Sequence, residues 1–545
     1  MTFQPLFPKM RVRISLEQCL HVLMVALFII LVLSPLAGLC LDLLYDFLSG
    51  TLDLSVLTFF SPRRLWLLFA SIGLAATVAG SGILVGVLVV SLLWRIAKKG
   101  LVIVLLTVLA LAAIPPYIHA LTWSSLLGYL TGFLPGLTMT GWGISYWVEL
   151  MALIPLATLL VWIAFASVDP ALVEAGRVFR PDMDAFLHIH LPLAAPALGA
   201  SFGFLFLLCC SDYSIPSLFG ADVYALEIFA QFSASGSSAL AFLYALPLMV
   251  VMIAVIIASR SGIRTLAQTP DWLSDRKGTA PLFPWPFILL QVLACGVVLF
   301  QILVLVSGLL LTTGTMSTLT RSVEMAQGEL VYSLLVAAGV VIVSLPLALA
   351  AAHELKQPGL RGGISWGLVL LPLAMPASLT GIGLILFWNT PGMAVIYPDL
   401  LMPVLAGVAR FAPFAAIILF VQLRFIDPVL FDAAAVFSRS LLKTWVRVRL
   451  PLYVPGLLVA AGILAALTLA ELGATLVVAP PGYGTITLRI YNYLHYGSAG
   501  EVAGLCLMIT ILCLIVGVCT VVAVTWLYRD GREKRPEGDP VHDRS

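Results

Sequence analysis

Residues 502–528 read VAGLCLMITILCLIVGVCTVVAVTWLY, a run with no charged side chain from end to end. A run of this length crosses a bilayer core as a helix, which takes about 20 apolar residues, because only a helix satisfies every backbone group inside lipid. The pattern recurs along the chain at approximately 19–45, 64–94, 100–120, 147–167, 192–213, 241–259, 283–311, 329–352, 364–388, 400–423, 451–478 and 502–528. These twelve candidates specify an all-α polytopic membrane protein in contact with lipid. Of the 545 residues, 61% are hydrophobic and 10% charged, against roughly a quarter charged in soluble domains. No polar stretch is long enough to enclose a water-soluble catalytic core. The basic residues are scattered over short loops and form no continuous stripe, which excludes nucleic acid as a partner.

Lysine and arginine mark the cytoplasmic side of a membrane protein. With the N-terminus inside, cytoplasmic segments collect Lys9, Arg11 and Arg13, then Arg95, Lys98 and Lys99, Arg177 and Arg180, Arg260 and Arg264, Lys356 and Arg361, five cations between Arg424 and Arg449, and the tail 529–545. The opposite loops hold Arg63, Arg64, Arg321 and Arg489. Both termini are therefore expected in the cytoplasm. The first apolar run is too long for a signal-peptide core, so it reads as an uncleaved first span. The eight cysteines sit in or beside apolar runs with no CxxC pair, which suits small apolar packers better than a metal or disulfide framework.

Two charge-dense segments interrupt this pattern, and they match. VDPALVEAGRVFRPDMDAFLHIHLP at 168–192 is answered by IDPVLFDAAAVFSRSLLKTWVRVRLP at 426–451. Asp169-Pro170 corresponds to Asp427-Pro428, Glu174-Ala175-Gly176 to Asp432-Ala433-Ala434, Phe179 to Phe437, and Leu191-Pro192 to Leu450-Pro451 with one extra residue in the second copy. Pro155 pairs with Pro413 upstream, and Asp212 with Glu471 downstream. A first half at 1–259, a linker at 260–282, a second half at 283–528 and a tail at 529–545 follow. With six spans per half the two halves run parallel, so both segments face the cytoplasm.

Aspartate is a strong helix N-cap and proline is pre-set for the first helical position, so each segment opens a short helix. Leu172, Ala175, Gly176 and Phe179, and likewise Leu430, Ala433, Ala434 and Phe437, recur at helical spacing and give an apolar stripe with small residues at its centre. Arg180-Pro181 and Ser438-Arg439 end that helix, a second short helix follows, and the Leu-Pro dipeptide leads into the next span. His188 and His190 lie two apart, which places them on different faces and points to loop solvation, not metal binding.

The paired segments resemble the EAA loop of permease subunits in bacterial binding-protein-dependent ABC importers, and two copies in one chain look like the fused permeases of the ferric-iron and thiamine group. That resemblance implies a coupling helix in each half, docked on a cytoplasmic ATPase through Asp169, Glu174, Ala175, Gly176, Phe179, Leu191 and Pro192, and through Asp427, Asp432, Ala433, Ala434, Phe437, Leu450 and Pro451. It implies two ATPase subunits, an external periplasmic solute-binding protein, a bacterial inner-membrane location, and ferric iron as cargo ahead of thiamine, a polyamine or an oxyanion. The chain departs from the family at the turn, where glycine is replaced by Arg180 and Ser438. It contains no GxxxxGK[ST], so it holds no cofactor of its own in this reading; ATP and Mg belong to the partner, and the chain is not an enzyme.

Ionisable residues within spans cost at least about 2.5–3.5 kcal/mol and mark functional paths. Asp212 and Glu471 lie about 20 residues beyond the Leu-Pro dipeptides, roughly 30 Å along a helix, near the outer mouth. Arg410 lies deeper, where the other half has Ala152, with Glu149 and Glu471 as candidate partners. All four are candidate pathway or gate residues. An ion-coupled secondary transporter with two six-span halves fits the topology too, but gives no reason to duplicate the charged segment.

Overall fold

A computed structural model describes residues 16–51, 61–93, 111, 114–132, 140–266, 282–390, 400–437, 440–496 and 499–533. The described residues are helical, with no strand among them. Ten helices are long and apolar enough to cross a membrane, or eleven if one bent pair counts as a single span. The expected span at 100–120 falls largely outside the described residues; its far end opens a helix at Pro116–Thr131.

In chain order the helices are α1 (Leu16–Ser49), α2 (Pro62–Leu93), α3 (Pro116–Thr131), α4 (Trp142–Ala166), α5 (Pro170–Phe179), α6 (Asp182–Ser211), α7 (Ser214–Leu218), α8 (Tyr224–Ser235) and α9 (Ser238–Leu266). They continue as α10 (Trp285–Thr313), α11 (Met316–Met325), α12 (Gln327–Leu355), α13 (Gly359–Leu370), α14 (Ala377–Trp388), α15 (Leu401–Arg424), α16 (Pro428–Phe437), α17 (Leu442–Ala470), α18 (Thr475–Val478), α19 (Ile486–Tyr496) and α20 (Ala499–Glu533).

Two expected spans are corrected. The 364–388 stretch is not one helix: α13 and α14 meet at 108° across a short break. Pro372 and Pro376 cause it, since Met375 is driven into extended backbone by the proline that follows. The 451–478 stretch ends its long helix at Ala470 and re-forms as the single turn α18.

Helices α2, α4, α6 and α9 pack together, and so do α12, α15, α17 and α20. The first helix of each set crosses to the other. Helix α1 lies against α12, α14 and α15, while α10 lies against α2 and α3. The α1–α14 crossing is a backbone contact: a Cβ on Gly38 would overlap the Gly383 carbonyl oxygen, and one on Gly383 would overlap that of Pro35. Small residues allow such approach, and dispersion between close backbones replaces the hydrophobic drive that lipid does not supply. Buried polar bonds fasten the crossings. Gln291 donates to Ser91 at 2.8 Å, Trp123 Nε1 donates to Gln301 at 2.8 Å, and the Gln301 amide meets His119 Nδ1 at 2.6 Å. On the other crossing Trp388 Nε1 donates to Ser34 at 3.1 Å. In hydrocarbon each such group has no water to turn to, so the pairs fix rotation as well as proximity.

Local structure recurs between the two sets. The backbone amide of Tyr224 donates to Ser71 Oγ at 2.8 Å, and that of Ile486 to Ser333 Oγ at the same distance and the same separation along the chain. Beside these bonds Glu227 pairs with Arg63 and Arg64, whereas Arg489 pairs with Glu329, so the charges are exchanged between otherwise similar places.

Candidate functional site

The two charged segments fold alike. Asp169 caps α5 by accepting from the Ala171 amide at 2.9 Å, and Asp427 accepts from the Val429 amide at 2.9 Å. Each ten-residue helix is followed by a four-residue helical turn and then a five-residue π-turn that runs without a break into the long helix. The second short helix is therefore the first part of α6 or α17, not a separate surface piece. The Leu-Pro dipeptides account for the π-turns. Pro192 and Pro451 have no amide hydrogen, and each ring crowds the carbonyl four residues back. The turn ahead widens so that the Leu191 amide bonds to the Phe186 carbonyl and the Leu450 amide to that of Trp445, five residues back in both copies.

The helix faces are defined by exposure. Leu172 is 53% exposed and Phe179 88% exposed, with Val178, Glu174 and Ala175 also outward. Val429, Leu430 and Ala433 are exposed on α16, while the side chains of Asp432 and Phe437 lie outside the described residues. Gly176 is different. A Cβ there would run into Ile189 Cδ1, so this glycine admits the second helix of its own loop. Leu191 packs on the core and Pro192 is exposed, as is Pro451, with Leu450 half-buried.

The turn at Arg180 needs no glycine. Its φ of −136° and ψ of 148° are extended, the conformation that Pro181 imposes on the residue before it. Arg180 then bridges Asp184 at 2.8 Å and Arg177 bridges Asp182 at 2.7 Å, holding the two helices at a fixed angle. Ser438 lies outside the described residues. His188 is exposed against Asp184, but His190 is not solvated: it is buried, stacked on Phe186 and edge-on to Phe165 at 4.6 Å.

Each loop is clamped by the first helix of the opposite set. Phe186 packs edge-on to Phe283, at 5.4 Å between centroids, and against Phe287 at the start of α10. Asp182 also accepts from the backbone amide of Leu282. In the second loop Arg449 pairs with Glu17 at the start of α1. Nothing in the sequence links residues so distant, and neither clamp lies on the apolar stripe, so pattern reading had no signal for them.

At the other ends of α6 and α17 the candidate pathway charges converge. Arg410 pairs with Glu471, choosing between its two candidate partners. Glu471 also accepts from the Ala474 amide at 2.7 Å, and Asp212 accepts from the Ser214 hydroxyl at 2.6 Å and amide at 3.0 Å. Asp212 lies within electrostatic range of both Glu149 and Glu471. Glu149 is 2% exposed and its Oε2 finds no hydrogen-bond partner among the described residues. The three carboxyl groups thus follow one another, Glu149 beside Asp212 and Asp212 within range of Glu471, and of these Glu471 takes the Arg410 guanidinium. Tyr213, which follows Asp212 in the chain, is buried beside them and stacked on Phe229. Phe204 of α6 meets Phe414 of α15 edge-on at 5.5 Å, joining the two sets between this cluster and the loops.

No family model matches the chain. Among curated proteins it is similar to the "Putative ferric transport system permease protein FbpB 1" of Haemophilus influenzae, at 31% identity over 129 residues. That alignment covers 21% of this chain and 20% of the relative, so the chain spans about a fifth of the length of the protein it matches. The many apolar helices, together with this likeness, fit a multi-pass membrane protein.

Proposed function

We propose that the chain is the membrane-spanning permease of an ATP-driven importer, built as two parallel six-span halves in a bacterial inner membrane with both termini in the cytoplasm. The single observation that carries this reading is the pair of similarly built loops, each a capped ten-residue helix followed by a π-turn fused to a long helix. Fusion matters mechanically: a push that reaches the π-turn of either loop is passed straight into the long helix α6 or α17, of which it is the first part. In this reading two copies of a cytoplasmic ATPase, which hold ATP and Mg, grip the exposed faces of α5 and α16. An external solute-binding protein delivers cargo to the far side. Glu149, Asp212, Glu471 and Arg410 then guard the path where α6 and α17 end. The excess of carboxyl groups over guanidinium there favours a cationic cargo, and the likeness to a ferric transport permease supports ferric iron.

The decisive experiment reconstitutes the chain with its ATPase in vesicles and combines Glu174→Arg with Asp432→Arg. Coupled ATP hydrolysis and iron uptake should both fall at least tenfold while the protein remains folded in detergent. Unchanged uptake would remove the coupling role from these loops.

A further inference from the structure

Away from the central charges, a cavity of about 400 Å³ opens where α12, α13 and α15 meet, at the end of α15 that leads into α16. Its wall holds two cations, Lys356 and Arg424, above a floor of Trp366 and Phe420, and none of its lining residues is acidic. Glu354, two residues before Lys356, is occupied: Arg361 grips it in a fork at 2.8 and 2.7 Å, and His21 reaches it at 2.8 Å. Lys356 Nζ is held by the Leu423 carbonyl at 3.0 Å, and Arg424 lies over the Phe420 ring. Burial, and after it the charge of Arg424, pull the Lys356 ammonium below its usual range, so the two cations are held together at a cost.

The backbone shapes the same cavity. Gly362 is required, because a Cβ there would overlap the Gln357 carbonyl oxygen. Gly359 starts α13 at φ +69°, and no side chain caps that start, which leaves its first amides without an intrahelical partner. On α13 beside the cavity, Leu360 is 81% exposed and Ile364 54% exposed, an apolar surface suited to acyl chains. Cations flanked by exposed apolar side chains occur at headgroup depth, and basic pockets between spans on the cytoplasmic side hold anionic headgroups.

We infer that this cavity binds a phosphate-bearing anion, the headgroup of an anionic phospholipid, between Lys356 and Arg424. The phosphodiester sits between the two cations, its glycerol on Trp366, and its acyl chains along Leu360 and Ile364. Arg424 is the last residue of α15, close before α16, so a bound lipid is placed to steady the second loop.

The test is native mass spectrometry of the full chain purified in mild detergent, followed by titration with short-chain phosphatidylglycerol, phosphatidylcholine and inorganic phosphate. The wild type is expected to retain phosphatidylglycerol and not phosphatidylcholine. Lys356→Gln with Arg424→Gln is expected to bind about 30-fold more weakly, at about 1 kcal/mol per juxtamembrane cation. Arg447→Gln, which removes a charge outside the cavity, should bind as the wild type does. Saturation by inorganic phosphate with no lipid retained would keep the anion site and overturn the lipid source. Equal retention of both lipids, or unchanged binding in the double variant, would overturn the site. The comparison of the two lipids needs only the wild type, so it stands even if the double variant misfolds.

Discussion

Removing the guanidinium of Arg410 should be among the most costly single truncations in this protein. Glu471 is 7% exposed, and its side chain faces Arg410 and the Ala474 amide. Arg410→Ala leaves that carboxylate with one backbone donor in a medium that cannot solvate it. Breaking one side of a buried pair costs about 3–5 kcal/mol, most of it the stranded charge and not the lost attraction. Because the Arg410 side chain keeps 20% of its surface, the lower end, about 3 kcal/mol, is the expected figure. The reasoning then makes a sharper claim about the double variant. Glu471→Gln removes the charge but still accepts from Ala474, so Arg410→Ala with Glu471→Gln should be more stable than Arg410→Ala alone by about 1–2 kcal/mol. Denaturation of the detergent-solubilised protein, followed by tryptophan fluorescence, measures all four members of the cycle. Additivity of the two single losses within about 0.5 kcal/mol would show that the residues do not act as a pair.

Three further outcomes are expected. Glu17→Arg and Arg449→Glu should each loosen the second loop, and their combination should restore the wild-type rate of proteolytic cleavage near residue 440; the effect should weaken in high salt because both side chains are partly exposed. No recovery in the exchanged pair would remove the clamp. Asp169→Ala should lower the stability of α5 by about 1 kcal/mol through loss of its cap, read as faster amide exchange at Ala171, whereas Asp169→Asn should leave it nearly unchanged. Gly383→Ala should cost about 1–3 kcal/mol or more, since the new methyl meets backbone of α1, while Gly296→Ala, in open space, should be neutral in the same unfolding measurement.

The likeness of the two loops was legible because it is written in one-dimensional spacing: Asp-Pro starts, a helical stripe, Leu-Pro ends. The meaning of the stripe was less so. The missing Cβ of Gly176 also makes room for Ile189 of the same loop, a contact across a turn that spacing does not encode. Arg180 reads as a substitution for a left-handed glycine, while the structure uses Pro181 to make an extended turn instead. His190 reads as solvated by its polar neighbours and is buried by Phe165 of α4 and by Phe186 of its own helix.

Taken alone, the sequence determined an all-helical fold, the approximate extent of most apolar helices, the two matching segments and the four charges set among apolar residues. Each of these depends on solvation or local periodicity, which a residue's neighbours in the chain reveal. Tertiary structure alone decided that Arg410 takes Glu471, that α1 and α10 cross between the two helix sets, and that each crossing helix clamps the opposite loop. It also broke 364–388 into two helices. In lipid, all apolar faces are nearly equivalent. Which face meets which is settled by small residues and a few buried polar bonds, whose partners are found only once the helices are assembled.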